Sequence, residues 1–304
     1  MTHSIVHRNN LHNKKYDFDV LTEAFEELEP FVFENEYRTQ TIDFAIPDAV
    51  KALNKALLLS HYNISFWEFP DKNLCPPIPS RVDYIHHLAE LLQRSQLDSD
   101  IRILDIGTGA TCIYPLLGQS VYNWSFVGSD IEVESLQTAQ KIIDKNELNS
   151  CIELRTQNNA MHILKGIIKP SDTFTASMCN PPFFRSEEEA IEATKTKLKG
   201  LDRQNEKLVR NFSGTSKELS YKGGEKAFLH NYLYESSQFK QQCFWFTSLV
   251  SNIGNVKSMQ ASLQKLGATE IRVLDMIQGN KVSRVVAWTF LTKTEQNEWN
   301  KKHK

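Results

Sequence analysis

The sequence lacks features that would place it in a specialised class of proteins. It has no apolar run of the roughly 18 residues that a membrane span requires, and no two cysteines stand at C-x-x-C spacing. The opening MTHSIVHRNNLHNKK is basic but has no apolar signal core. We therefore expect a cytoplasmic protein with no membrane partner.

Cysteine is also scarce. An odd number of cysteines at wide spacing favours reduced thiols packed in a core over a disulfide framework. The five are Cys75, Cys112, Cys151, Cys179 and Cys243.

An excess of charge of either sign is missing as well. The 35 Lys and Arg nearly balance the 37 Asp and Glu, which gives a net charge of −2. Affinity for phosphate comes from clustered cations, so a nucleic-acid partner would need a locally basic segment. Residues 195–226 carry nine Lys or Arg against four Asp or Glu. We interpret residues 185–224 as a basic insertion, the alternative being a solvated loop.

The chain divides at the proline-rich link CPPIP, residues 75–79. Residues 1–79 begin with little apolar periodicity, and we interpret them as an accessory segment. Two helices are predicted around the link. Asp48 is expected to cap the first helix, DAVKALNKALLLSH, and Ser80 is expected to cap the second, RVDYIHHLAELLQR. Residues 80–304 are predicted to form the main domain.

After Leu97 the sequence repeats a rhythm of strand, loop and helix. This rhythm is typical of a parallel sheet with crossover helices and predicts an α/β fold. Seven strands are predicted, at residues 101–106, 125–130, 152–155, 172–179, 242–250, 270–276 and 283–291.

The segment ILDIGTGATCIY, residues 103–114, predicts a strand that runs through a glycine turn into a helix. Gly107 and Gly109 permit a tight turn and close approach of a ligand to the backbone. A dinucleotide site would need a third glycine where Cys112 stands, so a nicotinamide-dependent oxidoreductase is disfavoured. Asp105 would place a carboxylate beside a ligand that bears an amino group. That arrangement suits S-adenosylmethionine, which carries an ammonium and a sulfonium.

Asp130 ends the next predicted strand, 25 residues after Asp105. A carboxylate there can accept hydrogen bonds from both hydroxyls of a ribose, as the acidic residue of dinucleotide folds does. The alternative is that Asp130 only caps the following helix. Taken with the glycine loop, its position favours the ribose role.

A second motif, Asn180-Pro181-Pro182-Phe183, follows the fourth predicted strand. Two prolines fix the backbone in a rigid extended turn at the carboxyl edge of the sheet, where ligands bind in open α/β folds. The Asn180 carboxamide oxygen and the Pro181 carbonyl could accept both N–H groups of an aromatic amine and so localise its lone pair. Phe183 could stack on a base that has left its own stack. The motif therefore predicts methylation of an exocyclic amino group.

These motifs carry a resemblance to a known family. ILDIGTGATCIYPLLG and CNPPFF, together with LCPPIPSRVDYIHHLAELL and QGNKVSRVVAWTF, closely resemble the bacterial 23S ribosomal RNA adenine N6-methyltransferases. A weaker resemblance extends to the animal enzyme that methylates spliceosomal RNA on adenine N6. The resemblance covers nearly the whole chain. It implies a class I methyltransferase fold with a mostly parallel seven-stranded sheet, S-adenosylmethionine as methyl donor, and one adenine of 23S ribosomal RNA as acceptor.

Matched motif by motif, the resemblance implies contacts to the cofactor from Gly107, Gly109, Thr111 and, at the ribose, Asp130. It implies that Asn180 to Phe183 hold the target base. Arg81 matches an arginine that in the animal relative reaches the cofactor's carboxylate, although an arginine in a first helical turn is also commonly exposed to solvent. Relatives carry a longer Glu at the ribose position. The accessory segment is expected to contact RNA, either free 23S RNA or a large-subunit assembly intermediate.

Other functions keep the same motifs. Guanine N2 of ribosomal RNA and a glutamine side chain of a protein are rival acceptors, because enzymes for both use an N-P-P-aromatic turn. A protein that binds RNA without catalysis would belong to a different class, and the intact motifs argue against it. His86 and His87 lie on a predicted helix with apolar neighbours, and no carboxylate or cysteine at ligand spacing completes a metal site with them, so none is predicted.

Overall fold

A computed structural model describes residues 6–182, 184–186, 188–189, 220–278 and 281–302. Two short strands form an antiparallel hairpin near the start: β1 (Val32–Glu34) and β2 (Gln40–Ile42). The remaining strands form one seven-stranded sheet: β3 (Arg102–Ile106), β4 (Ser125–Asp130), β5 (Ile152–Thr156), β6 (Phe174–Cys179), β7 (Cys243–Val250), β8 (Glu270–Gln278) and β9 (Lys281–Thr289). All seven predicted strands are present, and the α/β fold is confirmed.

Helices precede the sheet and connect its strands. In chain order they are α1 (Phe18–Ala24), α2 (Pro47–Tyr62), α3 (Ile78–Arg94), α4 (Ile113–Tyr122), α5 (Val133–Lys145), α6 (Gly224–Ser236), α7 (Ile253–Leu266) and α8 (Lys293–Lys302). None of the helices within the described ranges is long and apolar enough to cross a membrane.

Both predicted helix caps are wrong. The helix α2 begins at Pro47, which puts Asp48 inside the first turn, and Ile46 takes the cap position. The helix α3 begins at Ile78, two residues before Ser80. A proline fits the first turn of a helix because that turn needs no N–H donor there. In both cases a proline therefore stands in the first turn, and the helix begins before the polar residue.

Apolar side chains pack on both faces of the sheet. One cluster joins the helices α2 to α5 to the sheet and includes residues from both sides of the proline-rich link. The other joins α6, α7 and the loop of residues 163–168 to the opposite face. Because both faces are covered, β6 and β7 are buried along their whole length.

The strand order β5-β4-β3-β6-β7-β9-β8 places the functional motifs side by side. The strands β5, β4, β3, β6 and β7 are parallel, and β9 runs against β7 and β8. After β3, the chain adds β4 and β5 on one side of β3. The strand β6 then pairs with the other side of β3. This reversal opens a crevice at the carboxyl ends of β3 and β6, which is where α/β sheets bind ligands. Most of the predicted basic insertion, residues 185–224, lies outside the described residues.

Candidate active site

A single cleft at this crevice brings together residues that are far apart in sequence. It encloses about 1310 Å³ including its open mouth. Eight of the predicted site residues line it: Arg81, Gly107, Gly109, Thr111, Asp130, Asn180, Pro181 and Pro182. Asp105 lies beneath the lining, and Phe183 lies outside the described residues.

The glycine loop at the end of β3 is shaped by its backbone. Gly107 and Gly109 have φ angles of +74° and +65°, in the left-handed region that favours glycine. The N–H groups of Gly107 and Thr108 both donate to the Ser129 carbonyl, at 2.9 and 3.0 Å. A Cβ atom added at either glycine would meet no atom within 4 Å, so the glycines face open space. The loop therefore leaves room for a ligand directly above β3.

The Asp130 carboxylate at the end of β4 is held by main-chain donors. Gly109 N–H donates to its Oδ2 and Glu132 N–H donates to its Oδ1, both at 2.9 Å. Burial raises the pKa of Asp130, and these donors oppose the rise. Each oxygen retains a further lone-pair site, because a carboxylate offers about four. The carboxylate is thus fixed in place with acceptor capacity toward the cleft.

Asp105 is in a contrasting environment. It is 1% exposed, and neither carboxylate oxygen has a hydrogen-bond partner among the described residues. Burial raises the pKa of Asp105 to about 7, Asp130 adds to the rise, and the Thr108 hydroxyl and Arg81 lower it. The Thr108 hydroxyl also lies 3.8 Å from Cys112 Sγ, to which it donates. An unpartnered buried carboxylate is costly, so a cationic ligand above the loop would relieve it.

Arg81 lies on the opposite wall, in the first turn of α3. Its guanidinium is 5.7 Å from the centre of the Tyr114 ring, and its hydrogen bond to the Ser80 hydroxyl is long, at 3.5 Å. The Tyr114 hydroxyl is buried without a partner among the described residues, and burial raises its pKa to about 12. A guanidinium with free N–H groups above a buried phenol suits recognition of a carboxylate.

Asn180, Pro181 and Pro182 leave the sheet at the end of β6. In the pairing of β3 with β6, Ile106 stands opposite Cys179, so the glycine loop and the proline turn begin at the same level. Asn180 is half-buried, and its carboxamide has no hydrogen-bond partner among the described residues. Cys179 is buried, and burial raises the pKa of its thiol well above the usual range.

Several lining residues were not anticipated from the sequence. Asn73, Leu74 and Pro76 come from the loop between α2 and α3, and Gln157 and His162 come from the loop after β5. That loop is anchored from beneath, because one oxygen of a single carboxylate accepts three consecutive N–H groups: Glu235 Oε2 binds those of Ile163, Leu164 and Lys165 at 2.7–3.0 Å. No local pattern marks these positions, since they reach the cleft only through long-range packing.

The loop between α2 and α3 is connected to the glycine loop by a buried indole. Trp67 is 3% exposed and its Nε1–H donates to the Thr111 carbonyl at 3.0 Å. The glycine loop is thus supported from a segment that precedes the sheet by more than thirty residues.

All five cysteines are free thiols, and Cys112, Cys179 and Cys243 are buried as expected. Within the described ranges, no three His, Cys, Asp or Glu side chains are arranged to hold a metal ion. His86 Nδ1 lies 2.8 Å from the Tyr122 hydroxyl, and His87 Nε2 lies 3.7 Å from an oxygen of Asp83.

Comparison with known proteins identifies relatives over nearly the whole chain. A family described as RNA methyltransferase matches residues 1–292. Ribosomal RNA large subunit methyltransferase F of Aeromonas salmonicida (strain A449) is 48% identical over 298 residues, which cover 97% of this chain and 94% of that protein. The protein of the same name from Flavobacterium psychrophilum is 45% identical over 301 residues, with coverage of 97% and 96%.

Solved structures of human METTL16 share the fold. Its N-terminal domain in complex with SAH has a TM-score of 0.74 at 25% identity, and the match covers 94% of this chain and 99% of that one. The hMettl16 catalytic domain in complex with MAT2A 3′UTR hairpin 1 has a TM-score of 0.81 at 27% identity, with coverage of 95% and 96%. The expected class I methyltransferase fold is therefore confirmed, and the chain belongs to the RNA methyltransferase family, whose methyl donor is S-adenosylmethionine.

Proposed function

We propose that this protein transfers the methyl group of S-adenosylmethionine to N6 of one adenine in 23S ribosomal RNA. The observation that carries the proposal is the juxtaposition of the glycine loop after Ile106 with the Asn-Pro-Pro turn after Cys179, at one level of adjacent strands. The relatives named ribosomal RNA large subunit methyltransferase F support ribosomal RNA as the substrate.

The donor half of the cleft comprises the glycine loop with Arg81, Asp105 and Asp130. The residues present fit the cofactor, since the buried Asp105 oxygens lack partners and the glycines face open space. We assign Asp130 to the ribose hydroxyls, Arg81 to the carboxylate and Asp105 to the ammonium of the methionine moiety. Thr111 and the two glycines complete the wall. The short Asp130 side chain is positioned by Gly109 and Glu132 to reach into the cleft.

The acceptor half contains the amine clamp, which we define as the Asn180 carboxamide oxygen and the Pro181 carbonyl. An adenine amine is a weak nucleophile because its lone pair is delocalised into the ring. Two acceptors that bind its N–H groups would localise that lone pair and direct it. Bound S-adenosylmethionine supplies an electrophilic methyl group on its sulfonium. The amine proton can leave to solvent after transfer, so the chain need not provide a general base.

Pro181 and Pro182 keep the clamp extended, because the fixed φ of proline prevents the backbone from coiling into a helix. We assign Phe183 to stacking on the target adenine once it is swung out of the RNA. Phe183 lies outside the described residues.

We assign contact with the RNA backbone to the basic insertion at residues 185–224 and to the accessory segment, residues 1–79. The methyltransferase domain proper would then span residues 80–304. Support for the insertion is its local charge, nine Lys or Arg against four Asp or Glu at residues 195–226. The insertion follows the amine clamp directly in the chain, where an RNA strand would enter.

Two acceptors on the same fold are the competing assignments, guanine N2 of ribosomal RNA and a glutamine side chain of a protein. The names of the relatives disfavour the protein acceptor, and Phe in place of Tyr after the two prolines fits a nucleobase. A protein without catalytic activity is disfavoured by intact cofactor and clamp residues in one cleft.

Mass spectrometry of nucleosides tests the assignment. Digests of 23S RNA from cells that lack the protein would be compared before and after incubation with the purified protein and labelled S-adenosylmethionine. We expect one N6-methyladenosine to be missing and then restored. An unchanged N6-methyladenosine content with a different methylated nucleoside missing would reject the adenine assignment. Parallel reactions on free 23S RNA and on large-subunit assembly intermediates would identify the form that is methylated.

A further inference from the structure

A buried ring of hydrogen bonds lies behind the amine clamp. It is formed by Tyr84 on α3, Thr247 on β7, and Ser177 and Cys179 on β6, none of which is more than 1% exposed. The Tyr84 hydroxyl lies 2.7 Å from Thr247 Oγ1, and Thr247 Oγ1 donates to the Ser177 carbonyl at 2.7 Å. The Cys179 N–H donates to the Tyr84 oxygen at 3.5 Å. The ring thus joins two residues of β6, Ser177 and Cys179, and Cys179 immediately precedes Asn180.

Counting hydrogens fixes the direction of each bond in the ring. A hydroxyl has one hydrogen to donate. The Thr247 hydrogen goes to the Ser177 carbonyl, so the Tyr84 hydroxyl must donate to Thr247 Oγ1. The Tyr84 oxygen then keeps its lone pairs for the Cys179 N–H. The pairing of β6 with β7 ends at Ser177, opposite Phe246. Beyond that point, the Cys179 N–H donates to the Tyr84 side chain of α3.

The same helix also contacts the donor half of the cleft. Arg81 precedes Tyr84 by three residues, so both side chains lie on one face of α3. The Tyr84 ring packs edge-on against the Tyr114 ring, with centroids 5.6 Å apart and planes at 86°. Tyr114 in turn lies beneath the Arg81 guanidinium. A single helix therefore touches the wall of the cofactor site and the strand end that carries the clamp.

We propose that the Tyr84 hydroxyl is a positioning residue for methyl transfer, which fixes the peptide at Cys179 so that the Asn180 carboxamide meets the target amine correctly. The inference rests on the proposed function of Asn180. Removal of the hydroxyl would leave the Cys179 N–H buried without its partner and allow the turn to shift. A displacement of about 1 Å at a reacting centre can lower a rate by about 100-fold.

Steady-state kinetics of Tyr84→Phe tests the proposal. We expect kcat to fall by about 10- to 100-fold while the Kd for S-adenosylmethionine stays within about twofold, because Tyr84 does not line the cleft and Phe keeps the aromatic ring that packs against Tyr114. Thr247→Val, which removes the acceptor of the Tyr84 hydrogen, should lower kcat in the same direction. Thr247→Ser keeps that acceptor and should retain kcat within about threefold of the parent.

Tyr232→Phe is the matched control. The Tyr232 hydroxyl is equally buried, lies 2.6 Å from Ser177 Oγ and donates to the Thr247 carbonyl at 3.4 Å, but no hydrogen bond joins it to Cys179 within the described residues. Both variants should lower Tm to a similar extent, whereas only Tyr84→Phe should lower kcat strongly. An equal loss of kcat in both variants would show a general loss of packing and overturn the proposal. A weaker Kd for the cofactor with kcat unchanged in Tyr84→Phe would overturn it too.

The clamp assignment itself is tested separately by Asn180→Ala. If Asn180→Ala abolishes turnover and Tyr84→Phe does not lower it, the positioning role fails and the clamp stands. If Asn180→Ala retains full turnover, the clamp assignment fails. A Tyr84→Phe/Asn180→Ala double variant that is no slower than Asn180→Ala alone would support action of Tyr84 through Asn180.

Discussion

The two halves of the cleft are made rigid in different ways. In the donor half, backbone N–H groups close the glycine loop onto the end of β4, through bonds to Ser129 and Asp130. In the acceptor half, two prolines remove backbone freedom, and support comes from side chains packed behind β6. The donor half is thus fixed by the main chain and the acceptor half by side chains and proline rings.

This difference shows which substitutions should separate binding from turnover. The cofactor site contains charged side chains whose bonds form on binding, so changes there should appear mainly in cofactor affinity. The clamp binds a group that becomes nucleophilic only in the transition state, so changes there should appear mainly in kcat. Substitutions on each side of the cleft can sharpen or break the comparison.

The largest effect is expected for Asn180→Ala. Loss of one positioned hydrogen-bonding group at a reacting centre typically lowers kcat by about 100- to 1,000-fold, and the Kd for S-adenosylmethionine should stay within about twofold of the parent value. Single-turnover kinetics with RNA and isothermal titration with cofactor would measure the two quantities. Near-normal turnover would remove Asn180 from the clamp.

A change of Asp130 to Asn should have the opposite signature. Asn keeps an acceptor for the Gly109 N–H but loses the charge offered to the ribose hydroxyls. Hydrogen bonds to charged groups contribute about 1.5–3 kcal/mol, so the Kd for S-adenosylmethionine should rise by about 10- to 100-fold. Isothermal titration measures this Kd. An unchanged Kd would leave Asp130 as a helix cap only.

The Asp105 carboxyl should make cofactor affinity depend on pH. With a pKa raised to about 7 it is largely neutral at pH 6 and ionised at pH 8. Only the ionised form attracts an ammonium, so affinity for S-adenosylmethionine should rise about tenfold between pH 6 and pH 8. Asp105→Asn should bind weakly with a flat profile. A rise that persists in Asp105→Asn would assign the titration to another group.

The raised pKa of Asp105 should also make the stability of the protein depend on pH. The folded protein retains the Asp105 proton up to about pH 7, whereas the unfolded chain releases it near about pH 4. The free energy of unfolding of the cofactor-free protein should therefore decrease as pH rises through that window, relative to Asp105→Asn. Urea titrations at several pH values would measure the difference. Parallel curves for the two proteins would contradict the raised pKa.

The basic insertion should affect RNA affinity more than either cofactor binding or chemistry. Each lost phosphate contact reduces the slope of log K against log salt by about 0.7 for single strands. Replacement of Lys195, Lys197 and Lys199 by Gln should thus flatten the slope by about 2. Replacement of Lys257, Lys265 and Lys301, which are exposed on α7 and α8, is the matched control. Equal slopes in the two variants would reject the insertion as an RNA contact.

The strands and both motifs could be predicted because their signals are local. Each motif is a run of mostly apolar strand residues followed at once by Gly107 or by Asn180, and this pattern lies within consecutive residues. The caps of α2 and α3 were mispredicted because two local signals competed, and the preference of Pro47 and Pro79 for the first turn prevailed over the polar caps.

The other walls of the cleft could not be predicted, because their positions depend on contacts between distant segments. Trp67 supports Thr111 across 44 residues, and Glu235 holds the loop after β5 across about 70. The residues next to Trp67 and Glu235 in the sequence do not indicate which distant groups these two side chains bind. The ring that joins Tyr84 to Thr247 and Cys179 spans three elements of the fold and is likewise invisible to periodicity.

The burial of Cys179 makes the labelling rate of its thiol a measure of local opening. Alkylating reagents attack the thiolate, and a buried thiol with a raised pKa is protected until the surrounding structure opens. Peptide mass spectrometry can separate iodoacetamide labelling of Cys179 from labelling of the more exposed Cys75 and Cys151. The labelling rate of Cys179 would therefore measure how often the carboxyl end of β6, next to Asn180, opens. Saturation with the cofactor should slow the labelling of Cys179 by the same factor by which the cofactor stabilises the closed structure.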